Sequence, residues 1–522
     1  MIIQEEMYIR SLKRTRKIDI YVPDDYQTSK KRYPVLIIND GQNAFFDEQS
    51  YIGKSWGFLQ AVKQLNIDVI LVAIYCNFEL LKREDEYGPW IMNQDLSREY
   101  GTHRLVGGEG NAYVTFLTTQ LKPYLDQNFP TKIDDYGIVG SSMGALISFY
   151  AFLKYPTIFK KCAILSTAFW IYEEEFVNLL KVSSISHNML YMDVGGQEDD
   201  KRYIPSNEHL KECIEGKLQN YQYHFFPNGK HSEYDWSQRV PLFLEMFYGG
   251  LMFSDLDETL LVNHHVPKVN QEAILKARKE GLKFVPCTGR AFNMIPDILK
   301  EIGTYDQAGE YSLCFNGGLI VENKNNKVLH FKGLEFEKAK EIFDNARDLD
   351  VCVLVFTLDC CYIFHADEDE IQRKIAQKAK FEVIDDFDIS FLKNEKIAKI
   401  LYEKRDMDYL KVLALKLPQS IQDTCSIAFS SGRYLEMNTK GVDKGYGMRW
   451  LVDYLGYDMD ETIGIGDNYN DVEMIKTAKL GCAVACARDD IKELAQYVTK
   501  KDYDEGAVSE VIEKFVLGED HE

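Results

Sequence analysis

Short apolar runs alternate with longer amphipathic stretches along most of this chain. The runs at 35–38, 69–73, 137–139 and 190–192 carry no charged residue, and their one polar side-chain group is the Tyr191 hydroxyl. Runs this apolar read as strands buried on both faces, and the helical spacing between them predicts βαβ units on a parallel sheet. The pattern restarts after Tyr248-Gly249-Gly250. Residues 251–254 read as a new strand, 271–281 as a helix closed by Gly281, and 283–285 and 463–465 as further strands. The break is therefore placed at Gly249-Gly250, dividing the chain into 1–248 and 249–522.

Composition narrows the class. A chain of 522 residues is too long for one core, and about 100–200 residues per domain predicts three or four folding units. Hydrophobic residues at 45% and charged residues at 27% are ordinary globular usage, unlike a disordered or collagen-like chain. Lys and Arg number 61 against 82 Asp and Glu, a formal charge of −21. So acidic a surface repels phosphate backbones and anionic lipid, which argues against nucleic-acid and membrane partners. No apolar stretch reaches the roughly 20 residues of a membrane helix, and the opening MIIQEEMYIRSLKRTRK lacks the apolar segment of a secretory signal. Eleven cysteines are an odd number. Neither Cys360-Cys361 nor the pair Cys482 and Cys486 has C-x-x-C spacing, so reduced thiols in a cytoplasmic enzyme are expected.

The first half carries a serine constellation. Gly140-Ser141-Ser142-Met143-Gly144 fits G-x-S-x-G, follows the run at 137–139 and precedes an apolar helical stretch at 145–153. That is the strand–turn–helix setting of a nucleophile elbow. The glycines permit a strained turn that lifts the Ser142 hydroxyl above the sheet, and the helix start offers N–H groups to an oxyanion. Gly195-Gly196-Gln197-Glu198-Asp199-Asp200 is an acid-bearing loop after the strand at 190–194. Asn228-Gly229-Lys230-His231-Ser232-Glu233 puts a histidine in a polar loop after the strand at 221–226. The order Ser, acid, His is that of an α/β-hydrolase, with His231 taking the Ser142 proton and returning it to the leaving group.

Residues 6–248 resemble the putative esterase family that includes esterase D and enterochelin-esterase-like proteins. Besides the triad, the resemblance rests on Asn39-Asp40-Gly41-Gln42-Asn43, similar to the family's His-Asp-Gly-Gln-Asn loop. It also rests on 83–90 (REDEYGPW), on 108–113, and on Lys230-His231-Ser232-Glu233 with Trp236. It implies an α/β-hydrolase fold, carboxylesterase-like activity, and an oxyanion hole made by the Gln42 and Met143 backbone N–H groups. Glu198 matches the family spacing for the triad acid best, and Asp199 is the alternative. Asn39 stands where the family usually has His.

The second half carries a different constellation. Ser254-Asp255-Leu256-Asp257-Glu258-Thr259 follows a strand, and two carboxylates so close imply an offsetting cation and a nearby lysine. Cys287-Thr288-Gly289-Arg290 follows the strand at 283–285 and supplies a hydroxyl. Gly441-Val442-Asp443-Lys444-Gly445 supplies a lysine at a helix start. Gly466-Asp467-Asn468-Tyr469-Asn470-Asp471 follows the strand at 463–465 with hard oxygen ligands suited to Mg²⁺. It lacks the EF-hand pattern of a calcium loop.

These four motifs, in this order, make residues 250–522 look like the haloacid dehalogenase superfamily. The resemblance implies that Asp255 is a nucleophile forming an aspartyl phosphate and that Asp257 is its general acid and base. Thr288 and Lys444 would bind the phosphoryl group. Asp255, the Asp257 carbonyl and Asp467 would hold Mg²⁺, with Asn470 and Asp471 in support. The 156 residues from Thr288 to Lys444 leave room for an inserted domain. Asn316-Gly317-Gly318, 479–484 and 504–507 resemble the Cof-like subclass IIB, whose α+β cap sets substrate choice. The core is thus expected at 249–324 and 438–522, and the cap at 325–437. Cys486 stands where the subclass has Asn.

The sequence therefore reads as a fusion: an α/β-hydrolase fold followed by a Rossmann-like haloacid dehalogenase core with an inserted α+β cap. The expected activities are ester hydrolysis and Mg²⁺-dependent release of phosphate from small metabolites such as sugar phosphates. Two alternatives stand beside it. In one the first half binds without reacting; in the other the second half passes the phosphoryl group to a sugar acceptor, a mutase reading that the large cap disfavours.

Overall fold

The computed structural model describes residues 1–518 except 25, 29, 30, 66, 200, 219 and 280. Asp200 of the acid-bearing loop and residue 280 of the expected helix thus lie outside the described residues. The chain divides into two compact units, Met1–Gly249 with Asp453–Tyr457, and Gly250–Val452 with Asp458–Glu522. No helix among the described residues is long and apolar enough to cross a membrane.

The first unit is built on one sheet whose described strands run, in spatial order, Ile2–Ile9, Arg14–Tyr21, Ile70–Ile74, Tyr33–Asn39, Thr131–Ser141, Phe159–Leu165, Met189–Gly195 and Asn220–Phe226. The first two form an antiparallel hairpin that joins the rest antiparallel, and all later neighbours are parallel. The apolar runs fall on the central strands: Tyr33–Asn39 and Ile70–Ile74 are buried at every residue. Helix Met143–Lys154 is apolar nearly all round, with only Lys154 exposed, so it can be stable only inside the unit.

Among the described residues the second unit has two sheets. The core sheet runs Lys327–Phe331, Leu319–Glu322, Tyr311–Cys314, Lys283–Cys287, Leu251–Asp255, Thr462–Gly466, Leu480–Ala483 and Tyr497–Val498. Its five central pairings, from Tyr311–Cys314 through to Tyr497–Val498, are parallel. The inserted sheet runs Phe381–Val383, Cys361–Phe364, Cys352–Thr357, Ile397–Glu403, Tyr434–Thr439 and Cys425–Ser430, antiparallel except at its first pair.

One boundary differs from the sequence reading. Residues 327–331 pair with Leu319–Glu322 and extend the core sheet, so the insertion opens after Phe331 rather than at 325. The chain enters it through the four residues 332–335 and leaves through the four residues 440–443. One face of the inserted sheet packs on its own helices through Val353, Val355, Ile400 and Tyr402. The other face puts Leu354, Phe356, Ile363 and Leu401 into the same apolar cluster as Leu256, Phe292 and Phe315 of the core. The alternation along Cys352–Thr357 is what lets a single strand serve both clusters.

Candidate active sites

In the first unit Ser142 sits between the end of strand Thr131–Ser141 and the start of helix Met143–Lys154, at φ 53° and ψ −117°. A non-glycine residue there is strained, by about 1–3 kcal/mol. Two glycines make the turn possible. A Cβ on Gly140 would lie 2.2 Å from the Gly144 carbonyl oxygen, and one on Gly144 would lie 2.9 Å from Asp40 Oδ2.

The second contact brings in the loop after strand Tyr33–Asn39. Asp40 takes a left-handed conformation, and Arg83 clamps its carboxylate through two hydrogen bonds of 2.7 Å. The short turn Gly41–Asn43 follows, with the Gln42 side chain fixed by the Cys76 N–H at 3.1 Å. Neither the Gln42 nor the Met143 backbone N–H finds an acceptor among the described residues, as an oxyanion hole requires. Asn39 is fully buried: its Nδ2 donates to Ser148 Oγ at 2.8 Å and its Oδ1 accepts from the Tyr113 hydroxyl at 2.7 Å.

Of the two candidate acids, the structure puts Glu198 on the histidine. Its Oε2 lies 3.1 Å from His231 Nδ1, whereas Asp199 Oδ1 accepts the Lys201 N–H of its own loop. The His231 ring is held between Tyr203, 4.7 Å between centroids, and Trp236, 4.9 Å and edge-on. Ser142 Oγ lies 3.4 Å from the Tyr203 hydroxyl, and no hydrogen bond joins Ser142 to His231. Burial raises the Tyr203 phenol above its usual range. Sequence reasoning missed Tyr203, because a tyrosine opening a helix belongs to no short motif.

In the second unit Asp255 ends strand Leu251–Asp255, and Asp467 follows the neighbouring strand Thr462–Gly466. Parallel pairing brings both to one edge, with Asp471 one turn further on. Lys444, the first residue of helix Lys444–Leu455, is fully buried and bonds to Asp255 and, at 2.6 Å, to Asp471. Asp471 Oδ2 also accepts the Asp467 and Asn468 N–H groups, both at 3.0 Å, and Thr259 Oγ1 donates to Asp467 at 2.9 Å.

Three carboxylates thus cluster together, two of them bonded to one lysine. Burial and then the charge of Asp471 raise the Asp255 carboxyl well above the usual range, against the pull of Lys444. The same two causes push Asp467 up to about 7. Burial alone would lower the Lys444 ammonium, but Asp255 and Asp471 outweigh it and hold it above the usual lysine range. Asp255, Asp467 and Asp471 offer oxygens within 4.8 Å of one another. An all-oxygen set with excess negative charge fits a hard divalent cation such as Mg²⁺.

The other expected residues are placed as follows. Thr288 is buried after strand Lys283–Cys287, and its Oγ1 accepts the Arg290 N–H at 3.1 Å. Asn470 Nδ2 lies 3.4 Å from Asn316 Oδ1. The Asp257 carboxylate is not brought into the acidic cluster: it is 56% exposed and held at both oxygens by Arg290. Two carboxylates at i and i+2 would share a side only if the strand continued, but the strand ends at Asp255. Arg290 and Asn316 lie within motifs legible in the sequence, yet their contacts depend on a loop conformation that no spacing reports.

The inserted sheet meets this edge of the core. Phe356 lies edge-on to Phe315, next to Asn316, at 6.3 Å, and Asn293 Nδ2 donates to the Asp359 carbonyl at 3.1 Å.

Comparison with known proteins agrees with both halves. Residues 252–512 match the family of haloacid dehalogenase-like hydrolases, and residues 9–244 match the family described as "Putative esterase". The "Putative phosphatase YxeH" of Bacillus subtilis is 27% identical over 272 residues, 51% of this chain and 98% of the relative. The "Uncharacterized protein YbbA" of the same organism is 26% identical over 200 residues, 38% of this chain and 74% of the relative. A haloacid dehalogenase-like hydrolase from Bacteroides thetaiotaomicron, solved by crystallography, is 26% identical with a TM-score of 0.47, covering 51% of this chain and 98% of its own.

Proposed function

Since this chain belongs to the haloacid dehalogenase-like hydrolases and carries an esterase-family domain ahead of that core, we propose that it is a bifunctional hydrolase. One site cleaves carboxylic esters and the other removes phosphate from small phosphorylated metabolites, sugar phosphates among them. The observation that carries the phosphatase reading is the buried set of Asp255, Lys444, Asp467 and Asp471 at the ends of adjacent parallel strands.

In this reading Asp255 attacks the phosphoryl group and holds it as an aspartyl phosphate. Lys444 stays cationic between two carboxylates and keeps Asp255 aimed, and Thr288 binds a phosphoryl oxygen. Asp257 protonates the leaving oxygen once released from Arg290. Asp255, Asp467 and Asp471 are the residues that would hold Mg²⁺. That ion would supply charge to offset a phosphate dianion beside three carboxylates. In the other site Ser142 attacks the ester carbonyl, His231 moves the proton, Glu198 holds the imidazole, and the Gln42 and Met143 N–H groups receive the oxyanion.

All eleven cysteines are free thiols and nine are buried, which supports a reducing, cytoplasmic setting. The substrates of both sites are small molecules. The test is a phosphate-release screen over phosphorylated metabolites, with and without Mg²⁺, run beside p-nitrophenyl ester hydrolysis. Absence of Asp255-dependent phosphate release would refute the phosphatase reading.

A second reading has the first unit bind without reacting. It is favoured by the Ser142 hydroxyl facing Tyr203 rather than His231. Labelling of Ser142 by a fluorophosphonate probe would reject it.

A further inference from the structure

We propose that Ser166 aims the Glu198 carboxylate at His231, as a positioning residue for ester hydrolysis. The proposal rests on the esterase reading above. Ser166 belongs to no catalytic motif, yet it is fully buried and holds φ 47°, a conformation costly for a residue with a Cβ. It directly follows strand Phe159–Leu165. Its own N–H donates to the Asp193 carbonyl at 3.0 Å, and the preceding Leu165 carbonyl accepts the Ser142 N–H at 2.9 Å.

A serine hydroxyl has one proton and two lone pairs. Trp236 Nε1 donates to Ser166 Oγ at 3.0 Å and Arg239 Nη1 at 3.2 Å, which uses both lone pairs. The proton is left for Glu198 Oε1, and Ser166 Oγ donates there. The Gly195 N–H donates to the same oxygen at 2.8 Å. Two donors on Oε1 leave Oε2 as the oxygen that meets His231 Nδ1.

Arg239 cannot drift from this arrangement. Nη1 also donates to Asp193 Oδ1 at 2.7 Å, and the guanidinium lies 4.7 Å from the centre of the Phe226 ring. One turn therefore registers both halves of the site. The Leu165 carbonyl holds the nucleophile's elbow, and the Ser166 hydroxyl fixes the orientation of the acid.

The experiment uses the full chain with Ser166→Ala, Ser166→Gly and Trp236→Phe. Glycine suits the positive φ, so Ser166→Gly removes the hydroxyl without backbone strain. On p-nitrophenyl acetate, kcat should fall on the order of 10²-fold with KM nearly unchanged, the size of a misaimed catalytic group. Trp236→Phe keeps a ring beside His231 but removes the Nε1–H donor, and the part of its cost that runs through this donor should vanish in the Ser166→Gly background. The second readout needs no turnover: the downfield Nδ1–H proton resonance of His231 should shift or broaden away in Ser166→Gly. A folded Ser166→Gly protein with an unshifted resonance overturns the proposal, as does a kcat near that of the parent. If the parent hydrolyses no ester, the esterase reading fails while the resonance still judges Ser166.

Discussion

Ser142 and Asp255 both stand where a parallel strand gives out, but their surroundings prepare them by opposite means. Around Ser142 the strain lies in the backbone, at φ 53°, and the nearby charges are paired or bonded: Asp40 with Arg83, Asp193 with Arg239, Glu198 with His231. The proposed nucleophile Asp255 is an ordinary strand residue, and the strain around it is electrostatic, three clustered carboxylates with one buried lysine bonded to two of them. A neutral nucleophile has to be held at a sharp angle to its base. An anionic nucleophile that must accept another anion needs its charge managed instead. The first site should therefore be sensitive to geometry and indifferent to metal, and the second the reverse.

The largest effects should separate the sites completely. Ser142→Ala should cut ester hydrolysis by on the order of 10⁴–10⁶ and leave phosphate release intact. Asp255→Asn should do the converse, because an amide cannot form the aspartyl phosphate. Loss of both activities in either folded variant would end the comparison. Next, Glu198→Gln should lower ester turnover by roughly 10⁴, as expected when a triad acid can no longer hold the imidazole tautomer, while Asp199→Asn should leave it near normal. The reverse ranking would show that the acid is misassigned.

Lys444→Met should destabilise the second unit by about 3–5 kcal/mol, since removing one partner leaves buried carboxylates uncompensated. Calorimetry should see that unit's transition fall and the other unit's stay. The smallest change in stability is expected from metal. Mg²⁺ at a hundred times its dissociation constant should add about 2.7 kcal/mol to the second unit. EDTA should remove that gain and the phosphatase activity together, with ester hydrolysis unaffected. A rise in the first unit's melting temperature with Mg²⁺ would blur the distinction.

The motifs that could be read from the sequence are those in which residue type and spacing do the chemistry within one turn. Gly140 and Gly144 around Ser142 are of this kind, as are Asp467 and Asp471 on one loop. Partners contributed from far along the chain were legible only as types. Glu198 and Asp199 are adjacent acids, and only the fold of residues 195–199 turns one to His231 and the other to Lys201. Asp257 was expected to offer its carbonyl to the metal and its carboxylate to the leaving group; the chain leaves the strand at Asp255, and Arg290, 33 residues away, holds that carboxylate. Ser166 and Tyr203 left no signal, since nothing in their neighbours' identities distinguishes them from ordinary turn and helix residues. The inserted sheet was expected from length and from the subclass resemblance, neither of which can assign a hairpin strand such as Lys327–Phe331 to either side of its boundary.

The inserted sheet is joined covalently to the core through two four-residue links, 332–335 and 440–443. Even fully stretched, a link of that length reaches only about 14 Å, and Leu334 within the first is already paired to Ile397. If the inserted sheet parts from the core, links this short let it tip but not lift away. The second link runs straight into Lys444, so a tilt large enough to admit a bulky substrate would pull on the backbone of the lysine bonded to Asp255. On the phosphatase reading, lengthening 440–443 with glycine should widen the range of accepted substrates at the expense of a well-anchored lysine.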